Sequence, residues 1–176
     1  MKKFLAFFTV LSFITINAQF EKGTIYLKDG NTQDGLIKIR TLGGIKYKKN
    51  EDSEIKLYDY NDLSGYDIKE KGIQKFRYKK VGNNFPQSMK IVRLGKINLY
   101  SIKIAKREIV TRIRTHYSFI YFIEKDNVII RVGNKLSKKD LQLFEDCPSL
   151  FNKIKKKEFK KSDVYQIVNF YDMNCR

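Results

Sequence analysis

The stretch Thr24-Ile25-Tyr26-Leu27-Lys28-Asp29-Gly30-Asn31-Thr32-Gln33-Asp34-Gly35-Leu36-Ile37-Lys38-Ile39-Arg40 decides how this chain folds. Asp29-Gly30 is a strong hairpin dipeptide because both positions accept a positive φ. Thr24–Lys28 leads into it. Gly35–Arg40 leads out, with Leu36 and Lys38 on one side and Ile37 and Ile39 on the other, the two-residue period of a strand. The same pattern continues in both directions. Gly43-Gly44 makes the next turn, and Ile45–Lys48 and Ile55–Tyr58 follow, split by the polar Lys49–Ser53 loop. Asn61–Gly65 reads as a short turn before Tyr66–Lys69. Ile73–Lys80 alternates cleanly, with Phe76 and Tyr78 one way and Lys75, Arg77 and Lys79 the other. Met89–Leu94 and Ile97–Ile104 flank Gly95-Lys96. Tyr117–Ile123 is apolar on both faces and predicts a central, doubly covered strand. Lys125-Asp126-Asn127 turns it into Val128–Val132. Residues 105–116 fit either a polar strand or a long excursion.

After Gly133 the period becomes helical. Ser137 can cap a helix with Leu141, Leu143 and Phe144 inward. Pro148 suits the first turn of a second helix, with Leu150, Phe151 and Ile154 as its stripe. Ser162 or Asp163 can cap a third, carrying Val164, Ile167, Val168 and Tyr171. Strands first and helices last predict an α+β fold. We expect an antiparallel meander, flat or curled into a small barrel or sandwich, followed by two to three short helices. Residues 20–135 form the strand-rich portion and 136–176 the helical segment packed on it, one domain over 20–176. Two subdomains splitting near Gly133 are the alternative.

Residues 1–19 stand apart. Met1-Lys2-Lys3 precedes thirteen mostly apolar residues, Phe4 to Ile16, and then Asn17-Ala18-Gln19. A cationic start, a short apolar run and a small residue at a polar exit predict a secretory signal peptide. A bilayer span needs about 20 apolar residues, more than this run offers. No other apolar run is that long, so the exported part is expected to lack a transmembrane helix.

The whole chain carries a net charge of +17, and removing Lys2 and Lys3 leaves +15. Such an excess points to an acidic partner: an acidic glycan, lipopolysaccharide or another envelope protein. Of the 36 basic residues only eight are arginine. Planar phosphate recognition favours arginine, which counts against nucleic acid. Lysine abundance is also what an AT-rich coding sequence writes on any solvated surface.

Cys147 and Cys175 are the only cysteines, and in an oxidising compartment they pair most simply with each other. Zinc needs three or four close ligands, and His116 is the only histidine. No phosphate loop, nucleophile elbow or His-Glu-x-x-His run is present, so no catalytic, metal or cofactor site is assigned. Asp59, Asn61 and Asp62 lack the ligand order of a calcium loop and read as turn caps. The best constellation is electrostatic. Alternation puts Lys75, Arg77 and Lys79 on one face and, if their segment is extended, Arg112, Arg114 and His116 on another. Lys38 and Arg40 share a face, as do Lys46 and Lys48. If these strands are neighbours they build one cationic face, with Tyr58, Tyr60 and Tyr66 as rings at its edge.

Asn17-Ala18-Gln19, Gly23-Thr24-Ile25 through Asp34-Gly35-Leu36-Ile37, Leu63-Ser64-Gly65-Tyr66, Asp146-Cys147-Pro148-Ser149-Leu150 and Val168-Asn169-Phe170-Tyr171 carry a resemblance. On these stretches the chain resembles a group of secreted proteins of Bacteroidota with no assigned activity. The resemblance implies a periplasmic, envelope or secreted location and brings no catalytic residues. The expected function is therefore a non-enzymatic exported envelope protein that binds an acidic ligand or a protein partner through a basic sheet face. The alternative is a hydrolase of cell-wall or surface glycans using Asp and Glu residues that the sequence does not single out.

Overall fold

The computed structural model describes residues 20–41, 43–109 and 113–175, and the side chains of these except 106–116. The signal-peptide expectation falls outside the described residues. Ten strands form a single antiparallel sheet: β1 Glu21–Leu27, β2 Thr32–Ile39, β3 Ile45–Lys48, β4 Lys56–Tyr58, β5 Leu63–Lys69, β6 Ile73–Lys79, β7 Gln87–Arg93, β8 Asn98–Ile109, β9 Ile113–Lys125 and β10 Val128–Gly133. A 3₁₀ turn, Asp140–Phe144, and two helices, α1 Pro148–Lys155 and α2 Val164–Asn174, follow. The three helical stretches expected after Gly133 thus appear as one 3₁₀ turn and two α-helices.

The strand order is β10-β9-β8-β7-β6-β5-β1-β2-β3-β4. The expected meander is broken once, because β5 pairs with the far side of β1 and not with β4. Four strand spacings separate β4 from β5 along the sheet, about 19 Å if it were flat. Yet only the tight turn Asp59–Asp62 joins them, with the amides of Asp62 and Leu63 both donating to the Asp59 carbonyl at 3.2 and 3.0 Å. The β1–β4 end must therefore bend over on itself. Gly44, at φ +73°, sits in the bend where a Cβ would lie 2.4 Å from the Tyr58 carbonyl oxygen. The bend encloses one core of Ile25, Ile37, Ile45, Tyr47, Leu63, Tyr66 and Ile68, with Phe76 and Tyr78 at its margin. The sheet curls but does not close into a barrel or split into a sandwich: β4 and β10 remain its edges.

A second core lies on the same, inner face at the other end, where Leu99 and Ile123 meet Phe144, Leu150, Val164, Ile167, Val168 and Tyr171 of the helical segment. A cysteine pair and an aspartate clamp are among the links that hold that segment. Cys147 and Cys175 stand at disulfide distance, Cα atoms 5.4 Å apart, joining the start of α1 to the end of α2. Asp172 accepts from Arg93 Nε at 2.6 Å and from the Ile97 amide at 3.1 Å, tying α2 to the β7–β8 turn. Ser137 and Asp140 cap each other reciprocally at the start of the 3₁₀ turn.

The expectation of a doubly covered central strand at Tyr117–Ile123 is corrected. β9 is second from the edge, and Tyr117 and Phe119 are 60% and 44% exposed. β7 pairs with β8 only as far as Ser101, and β10 with β9 only as far as Tyr121. Of the stretch 105–116, which the sequence leaves open, 105–109 and 113–116 belong to the two strands that run on past them, from Ile102 opposite Ile120 to Ile109 opposite Ile113. Among the described residues no third strand pairs with this two-stranded arm.

Candidate functional site

Register decides which cations meet. Directly opposed residues of antiparallel strands share a face, so Lys22, Leu36 and Lys48 form one row across β1, β2 and β3, and Lys38 stands directly opposite Lys46. Asp67 opposes Thr24 and Lys75 in turn, and Arg77 opposes Gly65 and Met89. All of these occupy the outer face, away from both large cores.

The β1–β3 end of this face holds unneutralised charge. None of Lys22, Lys38, Lys46 and Lys48 has an acidic partner among the described residues. Phe20 supplies a ring there, its centroid 6.0 Å from Lys38 Nζ and 5.6 Å from Lys48 Nζ, within cation–π range.

Toward β6 the charge is compensated. Arg77 donates to Asp67 at 2.8 Å, and Tyr26 donates to the other carboxylate oxygen at 3.1 Å. The guanidinium lies 4.4 Å from the Tyr26 ring centroid. It crosses Gly65 to get there, and a Cβ on Gly65 would stand 2.7 Å from Arg77 Cδ. Burial and the bond to Asp67 push the Tyr26 hydroxyl pKa up.

Lys79 reaches over β7 and β8 to Glu124 on β9, at 2.7 Å. Tyr100 and Asn98 also donate to Glu124, at 2.6 and 2.9 Å. For Lys79 and Glu124 to meet across three strand spacings, the outer face must be hollow here. The same hollow buries Met89, Tyr100 and Phe122 with no helix above them. Burial alone would raise the Glu124 carboxyl, but the bonds from Lys79, Tyr100 and Asn98 outweigh it and hold the group below its ordinary value. Burial and the Glu124 carboxylate push Tyr100 up strongly.

Lys75, Arg77 and Lys79 share one face, as alternation requires. Two of the three are committed to carboxylates, and only Lys75 is exposed. The grouping with Arg112, Arg114 and His116 is corrected as a neighbourhood, because β7 and β8 separate β6 from β9. Arg112 lies outside the described residues. Arg114 and His116 lie on β9 opposite Glu108 and Lys106, and their side chains are outside the described set. The expected rings are corrected too. Tyr66 is buried on the inner face, Tyr58 packs on Tyr47, and Tyr60 packs on Phe85. The rings on the cationic side are Phe20, Tyr26 and Tyr100, which sequence reading missed. Alternation gives the parity of Tyr26 relative to Lys22, but only the register across β1, β5 and β6 shows that it meets Arg77.

The acids on this face are poorly arranged for acid–base chemistry. Asp67 and Glu124 lie four strand spacings apart, and each is held by a cation. Asp34 stands two strands from Asp67 but is exposed and accepts from Thr24. A shallow cleft of about 430 Å³ lies elsewhere, between β10 and the 3₁₀ turn, and among the described residues Asp140 is the only carboxylate lining it. Asp59 and Asp62 act as turn caps, accepting from the amides of Asn61 and Asp59 at 2.7 and 3.0 Å.

Comparison with family models, with curated proteins and with solved structures finds no match for this chain.

Proposed function

We propose that this is a non-enzymatic exported protein of the cell envelope that binds an acidic glycan or lipopolysaccharide through the outer face of β1–β3. The observation that carries the reading is Lys38 directly opposite Lys46, flanked by Lys22 and Lys48 and without acidic partners among the described residues. Like charges placed directly opposite destabilise a sheet. On the same face Arg77 and Lys79 are held by carboxylates, whereas these four lysines have no acidic partner among the described residues, which leaves the strip open to an external anion. The leader-like N-terminus and the +15 charge that remains without its two lysines support export and an acidic partner.

The test separates binding from folding. Replacing the like-charge pair by an ion pair in Lys38→Glu should raise stability by a few tenths of a kcal/mol, up to about 1. The Lys38→Glu/Lys46→Glu double variant should bind lipopolysaccharide or an oligogalacturonate at least tenfold more weakly. Its slope of log affinity against log salt should fall by about two, one for each lysine that no longer neutralises the anion. Equal binding to lipopolysaccharide, oligogalacturonate and single-stranded DNA that collapses together as salt rises would reduce the charge to a solvated, non-specific surface and remove the proposal.

A further inference from the structure

The lysine strip is interleaved with apolar groups that an acidic polymer has no use for. Lys38 stands directly opposite Lys46, and Lys46 directly opposite Leu57 of β4. Opposed residues share a face, so the row runs lysine, lysine, leucine and ends at the sheet edge. Leu57 is 57% exposed there, and Ile55, one residue before β4, is 48% exposed. In the neighbouring row Leu36 sits between Lys22 and Lys48. The Phe20 ring lies near the ammoniums of both rows, at 6.0 Å from Lys38 Nζ and 5.6 Å from Lys48 Nζ. Sugar hydroxyls would need neutral hydrogen-bonding side chains. Among the described residues these two rows hold none, and Thr24, in the next row, already donates to Asp34 at 2.5 Å.

We propose that this face docks on an anionic lipid surface, with Leu57 and Ile55 entering the boundary between head groups and acyl chains. The inference rests on the strip being the anion-binding face, and adds that the anion belongs to a lipid. Charge complementarity selects the occupant. Four lysines without acidic partners among the described residues match acidic head groups, and exposed leucine and isoleucine beside them match acyl chains. Lysine suits such a boundary because its stem lies along apolar surface while its ammonium stays in water. The edge position matters too. Among the described residues no strand pairs beyond β4, so its apolar side chains are free to enter the lipid. Two forces then act together. Each lysine close to an anionic surface is worth about fivefold in affinity, and salt weakens that share. The apolar share scales with the area buried in lipid and persists in salt.

The experiment is co-sedimentation of the purified protein with vesicles of phosphatidylcholine alone and of phosphatidylcholine with phosphatidylglycerol, beside oligogalacturonate binding by the same protein. The wild type should prefer the phosphatidylglycerol vesicles by roughly tenfold or more. Ile55→Ser/Leu57→Ser should weaken vesicle binding by roughly tenfold and leave oligogalacturonate affinity unchanged within about twofold. Both side chains are exposed, so the fold should tolerate their loss. Circular dichroism checks this, and Leu57→Ser alone takes the place of a double variant that does not fold. Lys38→Glu/Lys46→Glu should weaken binding to vesicles and polymer alike by roughly tenfold or more. Oligogalacturonate bound through the lysines with no preference for phosphatidylglycerol vesicles, or vesicle binding that the serine variant keeps in full, would overturn this inference and leave the proposed function standing as glycan recognition. Charge reversal that changes binding of neither would remove both.

Discussion

Tyr66 and Tyr78 border the same core on neighbouring strands, with ring centroids 6.2 Å apart, but their hydroxyls differ. Tyr66 shares a hydrogen bond of 2.8 Å with Ser88. The Tyr78 hydroxyl is buried without a partner among the described residues, and burial raises its pKa well above the ordinary tyrosine value. A buried donor without a partner costs about 1–3 kcal/mol. Tyr78→Phe should therefore be neutral or stabilising, whereas Tyr66→Phe should cost about 0.5–1.5 kcal/mol, both read from urea midpoints at constant m. Glu124 makes a second prediction. Its folded pKa is depressed, so its contribution is present in full above the unfolded carboxyl range, about pH 4, and is lost as pH falls through the lower folded value. Asp146, also lowered against its own burial by bonds from Lys125 and Tyr171, acts in the same direction. Its side chain is 46% exposed against 13% for Glu124, so solvent screens it more. Urea midpoints taken from pH 6 down to pH 2 should fall along an acid limb that Glu124→Gln flattens, and an unchanged limb would mean that Glu124 is not coupled to folding.

At the scale of elements, the helical segment is held by the core it shares with Leu99 and Ile123, the Asp172 clamp and the Cys147–Cys175 link. The link closes a loop with a sequence separation of 28, worth roughly 3–4 kcal/mol on the chain-entropy account. Reduction, or Cys147→Ser with Cys175→Ser, should lower stability by about that much and loosen α1 and α2 before the sheet. Amide exchange with and without reductant checks this: protection should drop first in Leu150–Ile154 and Val164–Tyr171 while β1 and β5 keep theirs. The helices were legible because Leu150, Ile154, Val164, Ile167 and Val168 repeat at helical spacing, and all five are buried. The turns were legible because Asp29-Gly30, Gly43-Gly44 and Asp126-Asn127 tolerate positive φ, and each pair includes at least one residue that adopts it. The start of β5 was misplaced. Leu63-Ser64-Gly65 reads as turn chemistry, yet Leu63 is fully buried and pairs with Leu27, and that tertiary contact overrides the local preference.

At the scale of the whole molecule, the sheet bends toward its inner face at β1–β5 and is hollow on its outer face at β6–β9, so one sheet makes three cores. That shape sorts the charge. Arg77 and Lys79 find carboxylates, and among the described residues the lysines over the β1–β3 end do not.

The sequence by itself determined the α+β order, the hairpin turns, the alternation that gives each strand a charged side, and the cysteine pair, because these rest on local periodicity and on residues that only certain backbone angles accept. Only the tertiary structure decided which strands are neighbours. The return of β5 to β1, the separation of β6 from β9, the meeting of Lys38 with Lys46 and the capture of Arg77 and Lys79 by Asp67 and Glu124 all depend on register between segments far apart in the chain. Alternation specifies the face of a residue but not the residue opposite it, and that partner determines whether a lysine is neutralised or left for a ligand.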